Sequence, residues 1–261
     1  MVFVTSDPHG HLDVLAAALT QAALLDDDGH WSGGAQRLWV LGDLFDRGPD
    51  GVGVVDLLMR LQGEAAAAGG EVGVVLGNHE VLALGMHRFG RQRSDDSRVQ
   101  LFVLNWDRNG GQRADQERLT DDHARWLSAL PALAELDGHL LMHSDTDAYL
   151  AYGDDLAAIN AAIGAVLACD DIDRWNELAH RMTDRFGFAQ PGGADVAAHL
   201  AGRLGARRIV HGHSIIADLR GTDPADTDAA LLYARRQVLA IDGGIYAGGP
   251  CLVVNLDGWP D

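Results

Sequence analysis

The sequence predicts an α/β fold with a mainly parallel sheet covered by helices. Three short runs rich in apolar and β-branched residues are each followed by a turn and then by apolar residues at helical spacing. These runs are residues 2–5, 37–41 and 71–76. Three strand–helix units within about eighty residues are typical of parallel strands that are joined by crossover helices.

Length and composition favour one large globular domain. The chain has 261 residues, of which 47% are apolar, and it contains two cysteines. We therefore expect a single domain over residues 1–261. Two cysteines are too few for a disulfide framework or for a four-cysteine zinc site, so the fold must be stabilised by its core.

The charged residues exclude several classes of function. The formal net charge is −18, which argues against binding to a nucleic-acid backbone, since that needs a basic face. The 20 basic residues are all arginine, so a P-loop lysine, a lysine Schiff base and a Ser-Lys dyad are excluded. No apolar stretch is long enough to span a membrane, and the N-terminus lacks a secretion signal. We expect a cytoplasmic protein with no membrane partner.

The remaining chain predicts two helical excursions and further strands. Residues at about 86–130 are polar and arginine-rich, and we expect helices and loops that overlie the sheet; a second helical excursion is expected at about 153–205. Asp137-Gly138 separates two apolar runs and is typical of a two-residue hairpin turn. Further strands are predicted at residues 208–211, 237–241 and 251–255.

Five predicted strand ends carry residue types that bind metal ions. Each residue taken singly is explained by a turn, a helix cap or a core position, but their joint occurrence indicates a site. In α/β sheets, ligands bind outside the carboxyl ends of the strands. Oxygen and imidazole donors without thiolate suit Mn, Fe or Zn. The candidates are Asp7, His9, Asp43, Asn78, His79, His143, His211 and His213.

Three motifs resemble the signature motifs of the phosphoprotein-phosphatase group of calcineurin-like metallophosphoesterases. They are Asp7-Pro-His9-Gly, Gly42-Asp43-Leu-Phe-Asp46-Arg47-Gly, and Gly77-Asn78-His79-Glu80. The resemblance covers residues 1–85 well, and residues 139–145 and 206–257 more loosely. It implies two packed mixed β-sheets flanked by helices.

The resemblance also implies a centre of two divalent metal ions, with Mn expected and Fe or Zn as alternatives. Asp7 and His9 would hold the first ion, and Asp43 would bridge both. Asn78, His143 and His213 would complete the second. His213 is preferred to His211 because the late motif of the superfamily places its histidine directly after glycine, as in Gly212-His213-Ser214.

Further roles follow from the same resemblance. His79 would be the general acid, Asp46 would orient it, and Arg47 would bind phosphate oxygens together with Asn78. A second phosphate-binding arginine is expected later in the chain, with Arg185 and Arg181 as the candidates. One motif departs from the family pattern: His143-Ser144-Asp145 stands where His-Gly-Gly is usual, which predicts a different loop shape.

These residues imply hydrolysis of phosphomonoesters by a hydroxide that bridges two metal ions. The expected substrates are phosphorylated proteins or small phosphate esters, and phosphoserine, phosphothreonine or phosphotyrosine is favoured. A symmetrical dinucleoside polyphosphate hydrolase is the first alternative, although such enzymes typically carry Asp where this chain has Glu80. A non-catalytic metal- or partner-binding module is the second. The joint presence of Asp46, Arg47 and His79 argues against that module.

Overall fold

The computed structural model describes residues 1–90 and 95–259. Within them lie nine strands and ten α-helices. The strands are β1 Val2–Thr5, β2 Arg37–Val40, β3 Glu71–Val74, β4 Leu133–Leu136, β5 His139–Met142, β6 Arg208–His211, β7 Leu231–Tyr233, β8 Val238–Ala240 and β9 Val254–Asn255. The helices are α1 Leu12–Gln21, α2 Gly51–Ala67, α3 Asn78–Gly85, α4 Ser97–Arg108, α5 Arg113–Arg118, α6 Asp121–Ser128, α7 Leu156–Ala168, α8 Ile172–Met182, α9 Gly193–Arg203 and α10 Ile216–Arg220.

The first sheet has the order β3-β2-β1-β9. Strands β1, β2 and β3 are parallel, as their spacing in the sequence predicts. The fourth strand runs antiparallel, with Val254 opposite Val4 and Asn255 opposite Phe3. Of the run at 251–255 that was predicted as a strand, only these two residues pair.

The second sheet has the order β4-β5-β6-β8-β7. Its three central strands are parallel, and the two edge strands run antiparallel to their neighbours. The predicted hairpin is confirmed: Asp137 and Gly138 both have positive φ, at 53° and 84°, as a tight turn between right-twisted strands requires. The edge strand β7 was not predicted, since three residues give too short a pattern.

The two sheets pack face to face around an apolar layer. The first sheet and its strand ends contribute Val2, Val4, Leu41 and Val75, and the second contributes Ala134, Leu141, Val210, Leu239 and Ile241. Helices cover the outer faces and form a larger apolar cluster with the opposite sides of the strands. This arrangement confirms the predicted α/β fold with two packed mixed sheets flanked by helices.

The two helical excursions meet beside the site-bearing helix α3. Helices α4 to α6 belong to the first excursion and α7 to α9 to the second; α4 and α8 pack against α3 and against each other. Residues 91–94 of the first excursion lie outside the described part of the chain. The single-domain organisation over residues 1–261 stays a prediction. None of the helices in the described ranges combines the length and hydrophobicity needed to cross a bilayer.

Candidate active site

The carboxyl ends of the parallel strands in both sheets converge on Asp43. This carboxylate follows β2 and is 1% exposed. Its Oδ2 lies 3.5 Å from His9 Nε2 and 3.7 Å from His79 Nε2, and its Oδ1 lies 3.1 Å from His143 Nε2. Two groups of possible metal ligands share it: His9, Asp43 and His79 form one, and Asp43, His143 and His213 form the other. A carboxylate shared by two such groups is placed to bridge two ions.

The other two predicted ligands lie beside these groups. Asn78 Oδ1 is 2.9 Å from His143 Nε2. Asp7 accepts the backbone N–H of His213 through Oδ2 at 3.0 Å, while its buried Oδ1 has no hydrogen-bond partner. The structure therefore brings all six predicted metal ligands together at one rim.

The backbone at this rim is strained. Six side-chain-bearing residues of the site have φ between 42° and 67°, a region that non-glycine residues seldom adopt. Such conformations cost about 1–3 kcal/mol each and persist where the surrounding structure enforces them, mostly at functional sites. The six residues are Asp7, His9, Asp43, Asp46, Arg47 and His213.

Glu80 holds two of these loops in place. Its Oε2 accepts the N–H groups of Asp43 at 2.9 Å and Gly77 at 2.7 Å, and its Oε1 accepts that of Leu44 at 2.7 Å. The loops also need glycine, because a Cβ on Gly77 would lie 2.4 Å from the backbone nitrogen of Asp43. The buried carboxylate of Glu80 therefore fixes the segments after β2 and β3, which carry Asp43 and His79.

His79 is held as part of a hydrogen-bonded chain. Its Nδ1 lies 2.7 Å from Asp46 Oδ2, and the Trp106 indole donates to Asp46 Oδ1 at 3.1 Å. Both oxygens of Asp46 are therefore occupied, and His79 Nε2 is left facing Asp43 and Arg47. An imidazole oriented by a carboxylate is suited to proton transfer.

Arg47 lies over the centre of the site. Its guanidinium is 2.9 Å from His9 Nε2 and 3.2 Å from His79 Nε2. The Tyr246 ring, 36% exposed, stacks against the guanidinium with 3.9 Å between Cζ and the ring centroid. Because its planar fork matches phosphate oxygens, an arginine here can bind a phosphate group at the metal ligands.

The two candidates for the second arginine have different environments. Arg185 NH2 lies 3.2 Å from His213 Nε2, so this guanidinium reaches the site. Arg181 lies on the surface of α8 and pairs with Glu177 through Nε and NH2 at 3.0 and 2.8 Å. The geometry therefore favours Arg185.

Asp145, which departs from the family motif, ties the Arg185 segment to the His213 loop. Its Oδ1 accepts the Ser214 hydroxyl at 2.5 Å, and its Oδ2 accepts the Phe186 N–H at 2.9 Å. The Gly187 N–H donates to its carbonyl oxygen at 3.0 Å. His211 stands apart from the metal groups, with its Nε2 2.8 Å from the Tyr233 hydroxyl.

Burial and mutual repulsion shape the charges of the site. Burial raises the pKa of Asp7 well above its usual value, and the charge of Asp242 raises it further. Burial and the nearby imidazoles lower the pKa values of His9 and His213 well below the usual histidine value. Both rings are therefore held neutral, the form in which imidazole binds metal ions.

The residues of the site that were not predicted from the sequence include Trp106, Asp145 and Asp242. Trp106 comes from a helix distant in the chain, and no local pattern marks it. Asp145 occupies a motif position that was noted only as a departure. Asp242 gave a usable signal: it directly follows a predicted strand and precedes two glycines, much as Asp43 follows β2 beside Gly42.

The chain matches the model of the calcineurin-like phosphoesterase family over residues 1–216. It therefore belongs to this family, and the resemblance seen in the three motifs is confirmed.

Two curated relatives are named as protein phosphatases. Shewanella-like protein phosphatase 2 of Arabidopsis thaliana is 36% identical over 76 residues, which are 29% of this chain and 19% of that protein. Shewanella-like protein phosphatase 1 of Plasmodium berghei is 34% identical over 83 residues, 32% of this chain and 23% of that protein. The matched segments thus span less than a quarter of either relative.

A solved structure shares the fold over nearly the whole chain. It is the cold-active protein-tyrosine phosphatase of a psychrophilic Shewanella species, with a TM-score of 0.71 and 23% sequence identity. The match covers 98% of this chain and 75% of that one. At this identity, the likeness establishes the shared two-sheet architecture.

Proposed function

We propose that this chain is a metal-dependent phosphatase that hydrolyses phosphomonoesters of serine, threonine or tyrosine side chains in proteins. The observation that carries the proposal is the position of the His79–Asp46 pair and Arg47 against Asp43. A proton donor and a phosphate-binding cation thus lie beside a carboxylate that two groups of metal ligands share. The protein-phosphatase names of the partial relatives support the same substrate class.

The donor atoms of the site fit two divalent metal ions. Asp7, His9 and Asp43 would hold one, and Asp43, Asn78, His143 and His213 the other. The unpartnered, buried Oδ1 of Asp7 supports this assignment, since an anionic oxygen without a partner is costly in a protein interior. When bound, the ions would neutralise phosphate oxygens and lower the pKa of the attacking water. The oxygen and imidazole donors support Mn, with Fe or Zn as alternatives.

The chain's own residues account for the remaining steps. Arg47 and Arg185 bind the phosphate oxygens together with Asn78 and orient the ester. His79 donates a proton from Nε2 to the leaving oxygen as the bond to phosphorus breaks. Asp46 holds the ring through Nδ1 and stabilises its charged form, while Trp106 holds Asp46. General acid catalysis of this kind contributes about 10²–10⁴-fold to the rate.

A cytoplasmic location belongs to the same proposal. Cys169 and Cys251 are both unpaired in the structure. Free thiols persist in reducing compartments, whereas secreted proteins tend to pair theirs. Their state supports the location expected from the sequence.

The test compares substrates on the purified, Mn-loaded protein. Phosphotyrosine, phosphoserine and phosphothreonine peptides are assayed beside p-nitrophenyl phosphate and diadenosine tetraphosphate, and the metal content is measured by mass spectrometry. We expect two metal ions per chain and the highest kcat/KM on a phosphopeptide. A preference for diadenosine tetraphosphate would establish the alternative hydrolase. Absence of hydrolysis from a protein with two bound ions would favour the non-catalytic module.

A further inference from the structure

Five carboxylates other than Asp43 are buried around the site, and they fall into two groups. Asp46, Glu80 and Asp145 have hydrogen-bond partners on both oxygens. Asp7 and Asp242 each have one partnered oxygen and one buried oxygen without a partner, namely Asp7 Oδ1 and Asp242 Oδ2. Both side chains are 1% exposed, so bulk water does not solvate those oxygens.

Asp242 belongs to the same rim as the predicted ligands. It follows β8, which lies beside β6 in the second sheet, and its carbonyl oxygen accepts the Ile216 N–H at 3.0 Å. The Gly212-His213 segment, which leads out of β6, donates the His213 N–H to Asp7. The Ile241 N–H donates to the His211 carbonyl at 3.0 Å, so Asp242 lies next to the Gly212-His213 segment, where a Cβ on Gly212 would lie 2.1 Å from Asp7 Oδ2. Asp242 therefore lies at the same rim as the predicted ligand Asp7.

Stabilisation of its own turn explains one of the two carboxylate oxygens of Asp242 but not the other. Its Oδ1 accepts the N–H of Gly244, which has a φ of 79°. An asparagine or a serine would make that contact equally well and would bury no charge. A buried carboxylate oxygen that stays unpartnered destabilises the fold unless a cation or a proton compensates it. Two such oxygens from neighbouring carboxylates are donors of the kind that a hard divalent cation prefers.

We propose that Asp242 supplies a further oxygen donor to the metal ion that Asp7, His9 and Asp43 hold. The inference rests on the metal centre of the proposed function and adds a ligand from β8 to it. The contribution of the second sheet then extends to both metal ions, since His143 and His213 already serve the other.

The test is Mn²⁺ binding to the full chain after the metal has been removed with a chelator and dialysis. Asp242→Asn is nearly isosteric and keeps an oxygen for Gly244. We expect one of the two Mn²⁺ ions to bind about 10–100-fold more weakly, in the range seen when supporting groups of metal sites are lost. The melting temperature of the metal-free variant should rise, because a buried repulsive charge is gone, and the increase on adding Mn²⁺ should shrink.

Asp228→Asn is the matched control, because it removes the same charge from a side chain that is 88% exposed; it should bind both ions like the wild type. Asp242→Ser repeats the test with a hydroxyl for Gly244, should the asparagine variant fail to fold. The proposal would be contradicted if the variants bind Mn²⁺ as tightly as the wild type. It would also be contradicted if their melting temperature falls equally with and without Mn²⁺, because Asp242 would then only stabilise its turn. If the wild type itself binds no Mn²⁺, the metal centre and this inference both fall.

Discussion

The two sheets contribute to the same site in different ways. In the first sheet the chemical groups lie in the short segments that follow strands: Asp43 and Asp46 follow β2, and His79 follows β3. In the second sheet His143 and His213 reach the metal groups, and a buried network around Asp145 supports the Arg185 segment. The first sheet therefore supplies the reacting groups from short segments of the chain. The second sheet completes the site through contacts between segments that are far apart in the sequence.

This difference predicts the order in which substitutions should affect activity. Loss of a group on the first sheet removes part of the chemistry. Loss of a positively charged group held by the second weakens phosphate binding. Loss of a carboxylate outside the site should change only the stability of the fold.

The largest effect is expected for Asp43→Asn. The substitution removes the charge that both groups of metal ligands share, while the backbone contacts to Glu80 stay available. We expect a fall in kcat of more than about 10³-fold, beyond that for loss of one stabilising group, with at least one metal ion lost. Mass spectrometry of the metal content and a circular-dichroism melt check this; two retained ions with near-normal turnover would contradict the bridging role.

His79→Asn should come next and should depend on the leaving group. If His79 donates a proton, the loss in kcat/KM should approach about 10²–10⁴-fold for phenyl phosphate or a phosphoserine peptide. It should be smaller for p-nitrophenyl phosphate, whose leaving group departs readily without a proton. Asp46→Asn should show a milder form of the same pattern.

The metal content of the His79→Asn variant shows whether His79 acts as a general acid or as a metal ligand. His79 lies within one group of possible ligands, with its Nε2 3.7 Å from Asp43 Oδ2. Equal losses across the substrate series with both ions bound would exclude the general acid. A lost ion would make His79 a ligand.

Sequence predicted the first sheet's part of the site more completely than the second's. Asp7, His9, Asp43 and Asn78 each stand after a strand that a run of apolar and β-branched residues predicts, so motif and fold support each other. His79 and Asp46 lie in the same short segments.

The second sheet's contribution depends on contacts that no local pattern encodes. Asp145 acts through Ser214 and Phe186, which lie 69 and 41 residues away in the chain. The choice between Arg185 and Arg181 likewise needed the path of the chain after α8. Asp242 could have been predicted from the sequence, because it repeats the strand-end pattern of Asp43, but it is not part of the three motifs.

On the second sheet's side, Arg185→Ala should act mainly on substrate binding. Loss of a charged hydrogen bond costs about 1.5–3 kcal/mol, which corresponds to a rise in KM of about 10–150-fold. The kcat should change less, because His79 and the metal ligands remain. Inhibition by inorganic phosphate should weaken in parallel.

Arg181→Ala is the matched control for Arg185→Ala. It removes the same guanidinium four residues earlier, from an exposed pair with Glu177. We expect wild-type KM and kcat for this variant. A larger rise in KM for Arg181→Ala than for Arg185→Ala would reverse the assignment made from the geometry.

The smallest effect is expected at Glu64, which lies on α2 outside the site. This carboxylate accepts the Trp31 N–H at 2.8 Å, and its Oε1 lies 2.9 Å from His30 Nδ1 and 2.8 Å from Arg60 NH1. Desolvation opposes ionisation, but these contacts outweigh it and lower the pKa of Glu64 from its usual value of 4.5 to about 2. The side chain is 27% exposed, so solvent screening limits the stabilisation to about 1 kcal/mol or less.

The sign of the pH dependence follows from that lowered pKa. A carboxylate whose pKa is lower in the folded state stabilises the fold above its unfolded pKa, and the stabilisation is lost as the pH falls from about 4.5 towards 2. Denaturant unfolding of Glu64→Gln against the wild type should show a difference at pH 7 that shrinks below pH 4.5. Glu117→Gln, an exposed glutamate of α5, should show no difference at either pH. A difference in the free energy of unfolding between Glu64→Gln and the wild type that grows on acidification would contradict the assignment. Loss of phosphatase activity at pH 7 would show that the site extends to Glu64.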